Sequence, residues 1–458
     1  MINNEFLERE SVGKLLFKLS IPTVLAQLIN MLYNLVDRIF IGHIDEVGDL
    51  ALTGVGVCLP LIMIVSAFAA LISSGGAPRA SIYMGKKDNK KAEEILGNCF
   101  ILQIIISLIL TVLLLIFNEK LLLLFGASEN TIEYATRYMN IYAIGTIFVQ
   151  LTLGMNSYIT CQGYSKVAMF TVLIGAIFNI VLDPIFIYGF NMGVEGAALA
   201  TIISQGISCC FVILFLLSKK TILKIRVSNF KLDYKIILPC MALGLAPFIM
   251  QASESIIIVC FNSSLLKYGG DIAVGAMTIL SSVMQFAMLP LQGLAQGSQP
   301  IISYNYGARN AKRVKDTFKL LLIISLIYST TLYLFVMIFP KAFVSIFTDK
   351  VQLINFSTNA IRIYLSVLFI FGIQIACQMT FVSLGKAASS ISVAIVRKFV
   401  LLLPLIYILP NIFEDKTMAV YLAEPIADFL AVTFTSILFI FQFKKAILEI
   451  KEPQISNI

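Results

Sequence analysis

Residues 78–91 of the chain read PRASIYMGKKDNKK, and residues 300–313 read PIISYNYGARNAKR. The proline, a serine, the glycine and the basic residues that follow it keep their order at an offset of 222 residues. Further matches follow at the same offset: Ile141-Tyr142 with Ile363-Tyr364, and Gly163 with Gly385. Matches at one spacing indicate an internal duplication, in which each half of the chain carries the same structural unit.

The composition of the 458 residues excludes a water-soluble protein. Hydrophobic residues make up 59% of the chain and charged residues 13%, whereas a soluble domain has about 45–50% and about 25%. The mean hydropathy is +0.91. A soluble chain of this length cannot bury so much apolar surface in two or three cores. The same composition excludes disordered, collagen-like and disulfide-scaffold proteins, and it indicates a polytopic membrane protein.

Apolar runs separated by polar breaks predict twelve transmembrane helices, each with at least the roughly 20 residues that a bilayer requires. The predicted spans are residues 15–41, 51–83, 92–117, 132–160, 165–189, 193–217, 235–266, 272–305, 312–340, 351–383, 387–410 and 417–443. We therefore expect an all-α polytopic membrane protein.

The offset of the duplication covers six spans, an even number, so the two halves have the same orientation in the membrane. This predicts two six-helix lobes related by a pseudo-twofold axis along the membrane normal, with a cleft between them. The expected division is an N-lobe at 1–217, a linker at 218–234 and a C-lobe at 235–458. Such an arrangement suits alternating access. No nucleotide-binding motif occurs, so we expect an ion gradient to drive any transport.

Lysine and arginine are concentrated in alternate connections between the spans. The basic connections are residues 86–91, 219–235, 309–319 and 444–451, whereas the acidic ones are 45–49, 119–129 and 414–415. Cytoplasmic loops carry the excess of basic residues. We therefore predict a protein of the cell membrane with both termini on the cytoplasmic side. The net charge of +8 then reflects topology and contact with membrane lipid, and we expect no nucleic-acid partner.

The first span contains a polar stripe that ends in a carboxylate. Gln27, Asn30, Asn34 and Asp37 are spaced so that they share one helix face. An aspartate inside a membrane helix costs about 2.5–3.5 kcal/mol on insertion scales, which makes it a candidate functional residue. Two other interpretations of Asp37 stay open: a solvated residue at the outer mouth, or an ion pair with Arg38.

The fifth span contains Asn179 and Asp183, four residues apart and therefore on one face. Pro184 has no N–H, which leaves the carbonyl of Ile180 without its helical partner. Carboxylate, amide and carbonyl oxygens suit a small hard cation, and a carboxyl group out of water can instead hold a proton. Thr201, near the start of span six, is a predicted neighbour. The alternative is a kinked structural helix with Asp183 bonded to a hydroxyl group.

The second half has its own charged residues within predicted spans. Gln251 and Glu254 share a face of span seven; Glu254 is interpreted either as a cation contact or as a structural bond. Arg397, Glu424 and Asp428 are interpreted as a buried ion pair that holds this lobe together.

The eight cysteines lie inside apolar runs and show no C-x-x-C spacing. We interpret them as packing residues, with neither a zinc site nor a disulfide framework.

The chain resembles the multidrug and toxic compound extrusion family, most closely its DinF branch with the MepA-like pumps. The resemblance is carried by Asp-Arg-Ile-Phe-Ile-Gly at 37–42, by Asn-Ile-Val-Leu-Asp-Pro at 179–184 and by the duplicated twelve-helix pattern. The resemblance implies an N-lobe site for Na⁺ or H⁺ formed by Asp37, Asn179, Asp183 and Thr201, with Tyr138 and Asn156 around it. It also matches Glu254 to an acidic residue of the NorM branch, whose second acidic residue has no counterpart in residues 361–381.

These observations together predict an antiporter that exports amphipathic, cationic small molecules in exchange for H⁺ or Na⁺. We expect no catalytic residue and no cofactor besides the coupling ion, and by family resemblance a monomer. A flippase for lipids or lipid-linked precursors is the alternative; it would need cavity arginines to hold pyrophosphate, for which Arg79 and Arg397 are candidates. An intramembrane enzyme is disfavoured, because the chain has a single histidine and no HExxH or GxSxG motif.

Overall fold

Every regular element in the described part of the chain is helical. The structure, a computed structural model, describes residues 5–44 and 47–451. Asp45 and Glu46, which contribute to the orientation argument, lie outside the described residues. The first half contains α1 (Glu5–Arg9), α2 (Val12–Gly42), α3 (Gly48–Gly85), α4 (Asn89–Leu124), α5 (Ile132–Cys161), α6 (Ser165–Pro184) and α7 (Gly193–Leu217).

The second half follows the same plan with more interruptions. It contains α8 (Tyr234–Gly307), α9 (Ala311–Ile338), α10 (Pro340–Ser345), α11 (Val351–Tyr364), α12 (Phe371–Ser383), α13 (Ala387–Ile395), α14 (Leu403–Ile408) and α15 (Lys416–Lys451). Two π-helical segments, Ile185–Gly189 and Val396–Leu402, extend α6 and α13, and short 3-10 turns occupy Val227–Asn229, Leu368–Ile370 and Leu409–Asn411.

Each predicted span has a helical counterpart. Ten helices of the described chain are long and apolar enough to cross a membrane. One of them, α8, has 74 residues and contains two predicted spans, because Gly270 adopts φ 63° and ψ −163° and breaks the helix into two arms. The predicted tenth span is α11 together with residues 368–383, two pieces bent by 44°. The prediction of an all-helical membrane fold is confirmed.

The outer surface of the bundle is apolar, as a bilayer requires. On α4 the side chains of Leu108, Val112 and Ile116 follow one helix face and are 54%, 54% and 65% exposed. A continuous exposed stripe of this kind is unfavourable in water and favourable against lipid chains. The protein is therefore a multi-pass membrane protein.

The repeated stretch has the same backbone conformation in both halves. Lys87 and Arg309 adopt the left-handed conformation, with φ 62° and 58°, which residues with side chains rarely do. Immediately afterwards Asp88 and Asn310 cap the next helices, each accepting a hydrogen bond from the backbone N–H three residues on, at 3.0 and 3.1 Å. The helix end and the following helix start thus recur as one unit.

The two repeats also contact each other. A Cβ added at Gly85 would lie 2.0 Å from the carbonyl oxygen of Tyr304, and one added at Gly307 would lie 1.9 Å from that of Ile82. Both pairs are related by the offset of 222 residues, so the contact between α3 and α8 is reciprocal about an approximate twofold axis. Glycine is required here because the backbones touch. We call this end of the bundle, which carries the two basic repeats, the basic end.

Further contacts join α2 to the second arm of α8. Thr23 Oγ1 donates to the carbonyl of Gly293 at 2.6 Å, and Ser20 Oγ donates to that of Leu294 at 3.2 Å. The chain before α2 contributes as well, because Arg313 donates to the carbonyl of Leu7 at 3.0 Å. The two halves are thus held together toward the basic end.

The segment between the halves is bound at the same end. Gln162 Oε1 accepts three hydrogen bonds of 2.9 Å, from the hydroxyl of Thr221 and from the backbone N–H groups of Ile222 and Leu223. Farther along, Asn98 Oδ1 accepts the N–H of Asp233 at 2.8 Å. Residues 218–233 therefore pack on the first half.

A methyl group at Gly85 tests the contact between α3 and α8. Gly85→Ala should lower stability by about 1–3 kcal/mol, the usual cost of overpacking, because its Cβ would meet a backbone oxygen. Gly56→Ala, in the same helix and with no atom within 4 Å of its Cβ, should be neutral or slightly stabilising. Thermal unfolding in detergent measures both variants. Equal melting temperatures for the two would contradict the contact.

Candidate functional site

Asp37 and Asp183 are brought together by the packing of α2 against α6. Asp37 is 9% exposed and Asp183 is completely buried. Their carboxyl groups lie in hydrogen-bonding contact with each other. Because two ionised carboxylates can only accept hydrogen bonds, such a contact is favourable when one of the two groups is protonated or when a cation lies between them.

Asn179 completes the polar face of α6. Its Nδ2 donates to Asp183 Oδ1 at 3.2 Å. Asp37 Oδ1, Asp183 Oδ2 and Asn179 Oδ1 are buried and receive no hydrogen bond from an N–H or O–H donor of the described residues. Unsatisfied buried oxygens are costly, so these three are candidate acceptors for a bound proton or cation.

Helices α5 and α7 also contribute side chains to this site. Tyr138 is 3% exposed and close enough to Asp37 to sense its charge. The side chain of Tyr138 hydrogen-bonds to Thr201. Both residues, together with Asn179, therefore lie around the two carboxyl groups, and Thr201 reaches the cluster through the tyrosine. We call Asp37, Asn179, Asp183, Tyr138 and Thr201 the acid-pair cluster.

Tyr33 and Gln205 also line this region, although their positions were not predicted from the sequence. Tyr33 senses the charge of Asp37 and hydrogen-bonds to Gln205 of α7. A signal was present, because Tyr33 precedes Asp37 by four residues and Gln205 follows Thr201 by four, and such pairs share a helix face. Neither residue stands out as a charge in an apolar run.

The remaining residues of the predicted stripe on α2 make other contacts, and Asn34 hydrogen-bonds to Tyr33. Gln27 Nε2 donates to Gln296 Oε1 of α8 at 3.2 Å and so bridges the two halves. Asn34 is exposed, and its Nδ2 donates to the carbonyl of Asn30 at 2.7 Å. On α5, Asn156 Nδ2 donates to the carbonyl of Ala168 at 3.3 Å. These residues are not in direct hydrogen-bonding contact with Asp183.

The helix that carries Asp183 changes form at the next residue. Pro184 ends α6, and the chain continues as the π-helical segment Ile185–Gly189 instead of a loose kink. Proline cannot donate the usual helical hydrogen bond, and a π turn rearranges the pairing of the carbonyls before it. Such turns occur often at functional sites.

A second buried cluster lies in the other half. Arg397 Nε donates to Asp428 Oδ1 at 2.7 Å, and Arg397 Nη2 donates to Glu424 Oε1 at 3.4 Å. All three residues are at most 6% exposed. The guanidinium group also lies 4.8 Å from the ring centroid of Phe371, a favourable cation–π distance.

Lys398 extends this cluster toward α8 and was not identified from the sequence. Its Nζ donates to Glu254 Oε2 at 2.7 Å, with the lysine side chain 4% exposed and the glutamate side chain 42% exposed. Gln251, one turn before Glu254, is half-buried. The signal for Lys398 was its position beside Arg397 in an apolar run.

The two bases lie on the π-helical segment Val396–Leu402 and reach different helices, α15 and α8. We call Arg397, Lys398, Glu254, Glu424 and Asp428 the ion-pair cluster. Its three acids and two bases leave one formal negative charge. The acid-pair cluster carries two acids and no base, so the two halves present different electrostatics in a similar framework.

The donor set limits what the acid-pair cluster can hold. Across the described residues, no group of three His, Cys, Asp or Glu side chains is arranged as a metal site. Two carboxyl groups with amide and hydroxyl oxygens suit a proton or a singly charged hard cation, not a tightly bound transition metal.

Comparison with known proteins assigns the chain to a family. The MatE family model matches residues 22–185 and 246–408, one match in each half. The multidrug export protein MepA of Staphylococcus haemolyticus (strain JCSC1435) is 26% identical over 429 residues, which cover 93% of this chain and 94% of that protein.

Solved structures share the fold. A MATE protein crystallised in the bent conformation superposes with a TM-score of 0.91 at 24% identity, covering 98% of this chain and 99% of that one. A multidrug resistance MATE family transporter of the MOP superfamily in an outward-facing conformation gives 0.88 at 24% identity, over 96% and 98% of the two chains. The protein therefore belongs to the MatE family, the multidrug and toxic compound extrusion transporters, and it is a membrane transporter rather than an enzyme.

Proposed function

We propose that this transporter exports amphipathic, cationic small molecules in exchange for H⁺ or Na⁺, and that Asp37 and Asp183 bind the coupling ion. The observation that carries the proposal is the contact between these two buried carboxyl groups, with unsatisfied oxygens around them. The basic residue that acts on Asp37 is its chain neighbour Arg38, whose side chain is exposed.

Electrostatics explains why such a pair needs an ion. Two unit charges about 4 Å apart repel by about 4 kcal/mol at an effective dielectric constant of about 20, and each also loses hydration on burial. One proton or one Na⁺ removes most of this penalty. The proteins named MepA are multidrug exporters by name, which supports drug-like cargo for this chain.

The same charge gives the competition that antiport requires. With the ion absent, the site is negative and attracts a cationic substrate; with the ion bound, that attraction is lost. At one ion per monovalent substrate no net charge crosses the membrane. The voltage contribution of about 2.3 kcal/mol per charge per 100 mV then cancels, and the chemical gradient of the ion drives export.

We further propose that residues 1–217 and 235–458 act as two rocking lobes, joined by the linker 218–234 at the cytoplasmic face. The basic loops support a cytoplasmic position for this end and for both termini. The contacts of α2 and α3 with α8 toward the basic end support an outward-open arrangement. Because one chain contains both halves, a single subunit suffices for the cycle.

We assign the ion-pair cluster a structural role in the second lobe. Arg397 holds α15 while Lys398 holds α8, so one π segment fixes two helices. The pairing also argues against the flippase alternative, because the guanidinium of Arg397 is already neutralised by two carboxylates and is not available for a pyrophosphate.

Asp183→Asn tests the coupling site. The variant should insert and fold, because Asn keeps the shape of the side chain, but gradient-driven export of a lipophilic cationic dye should fall by about tenfold or more, the effect of losing about 1.4 kcal/mol of ion binding. Glu129→Gln, at an exposed position, is the matched control and should export at the parental rate. Parental export by Asp183→Asn would show that this residue does not couple.

Reconstituted vesicles distinguish the ions. The dye is loaded into the vesicle lumen, which corresponds to the cytoplasm. Either a higher external Na⁺ concentration at uniform pH, or a higher external H⁺ concentration without Na⁺, should then drive the dye out of the vesicles. The active gradient should have no effect on Asp183→Asn. Export driven by membrane potential alone, with neither gradient present, would contradict the electroneutral exchange.

Arg397→Leu tests the structural role of the ion-pair cluster. It leaves Asp428 and Glu424 buried without their base, which should cost about 3–5 kcal/mol, as for other broken buried pairs. The double variant Arg397→Leu with Asp428→Leu should recover part of the loss. Thermal unfolding in detergent and dye export by the surviving protein measure the two effects. An unchanged melting temperature with lost export would indicate a transport role instead.

A further inference from the structure

The thiol groups of Cys99 and Cys240 meet between the two halves of the chain. Cys99 belongs to α4 in the first half, and Cys240 belongs to the first arm of α8 in the second half. The two thiol groups are close enough to interact with each other. Both are free thiols and are buried, at 0% and 1% exposure.

Two consecutive glycines of α3 make this contact sterically feasible. A Cβ at Gly75 would lie 1.8 Å from the carbonyl oxygen of Cys240, so α3 and α8 touch through their backbones there. A Cβ at Gly76 would lie 2.8 Å from Cys99 Sγ and 2.1 Å from the hydroxyl oxygen of Tyr158. With no side chains on α3 in the way, α4 and α8 bring their cysteines together around it.

The pair also has a charged neighbour. Arg79, one turn after Gly75 on α3, hydrogen-bonds to the side chain of Cys240. A thiol beside a guanidinium group is a more reactive nucleophile than one in an apolar setting, because the thiolate is the reacting form. Tyr158 is completely buried next to Cys99. The two thiols thus have different neighbours, a tyrosine for Cys99 and an arginine for Cys240.

Three other buried cysteines have different contacts. Cys58 Sγ donates to the carbonyl of Ala135 at 3.4 Å, and Cys161 Sγ donates to that of Tyr158 at 3.4 Å, both within the first half. Cys377 is buried in an apolar cluster with Phe381 and Phe439. These residues fit the interpretation of cysteines as packing residues. Cys99 and Cys240 are buried in an apolar cluster as well, so the packing interpretation also fits them; what distinguishes them is that each lies beside a thiol from the other half.

We propose that Cys99 and Cys240 are a redox-controlled pair, whose oxidation to a disulfide fastens the two halves to each other at the basic end. The oxidant is a peroxide. The thiolate of Cys240 attacks hydrogen peroxide, takes up one oxygen as a sulfenic acid and releases hydroxide, which leaves as water with the proton of the thiol. The thiol of Cys99 then displaces the second oxygen as water and forms the S–S bond. Overall, two thiols and one hydrogen peroxide give one disulfide and two waters, and the two electrons pass from sulfur to peroxide.

The disulfide itself depends only on the contact between the thiols, whereas the block to transport rests on the proposed alternating access. Both thiols are buried when the halves touch, so peroxide reaches them when the lobes separate at this end. A disulfide formed on closure would then prevent the next separation. Export would stop under oxidative conditions and resume on reduction.

A cleavable linker gives a readout that does not depend on transport. A protease site inserted between Lys219 and Lys220, both exposed, separates the half that contains Cys99 from the half that contains Cys240. After peroxide treatment and cleavage, a denaturing gel without reductant should show the parental protein at full size, and dithiothreitol should release two fragments. Cys99→Ser and Cys240→Ser should give two fragments in both lanes, while Cys377→Ser should behave as the parent.

Two fragments from the oxidised parental protein without reductant would overturn the proposal. The transport readout follows on the uncleaved protein in vesicles: peroxide should reduce dye export to the level of empty vesicles, dithiothreitol should restore it, and Cys240→Ser should be unaffected. Halves that are linked by the disulfide but still export dye at the full rate would overturn the proposed block of transport. If the reduced parent exports no dye but its halves still become linked, the disulfide is supported and the proposed function fails.

Discussion

The packing of the first half has to accommodate two buried carboxyl groups that are in contact with each other. Asp37 and Asp183 come from different helices, α2 and α6, and neither has a buried base beside it in the described chain. Such a pair is stable only while an ion or proton neutralises it. In the proposed function, binding of the coupling ion between the two carboxyl groups therefore also stabilises the packing of α2 against α6.

The two halves share one framework but surround their buried charged groups differently. Both halves repeat the left-handed turn after the second span and the capped helix that follows it. Both also place charged groups at a π-helical segment, Asp183 before one and Arg397 within the other. In the second half two bases of the chain itself, Arg397 and Lys398, pair with the carboxylates. The acid pair of the first half has no such base in the described chain, and we propose that an exchangeable ion neutralises it.

The halves communicate where α8 touches α2 and α3. Backbone contact at Gly85 and Gly307 leaves no room for side chains. This interface therefore consists of packed main chains, which cannot adjust by changing side-chain rotamers. The close approach of the backbones at Gly75 and Gly76 also allows Cys240 to lie near Cys99. In the proposed alternating access, a single covalent bond at this close contact would directly restrict the relative motion of the two halves.

The all-helical membrane fold, the twelve spans and the duplication follow from the sequence alone, because hydropathy and the repeat at 78–91 and 300–313 are properties of neighbouring residues. Asp183 and Asn179 could be paired from their spacing, since one helix turn relates them. The meeting of Asp37 with Asp183, the bond from Lys398 to Glu254 and the contact of Cys99 with Cys240 were decided by tertiary structure. Each joins helices far apart in the chain, and periodicity within a helix gives the face a residue occupies but not the helix that this face will meet.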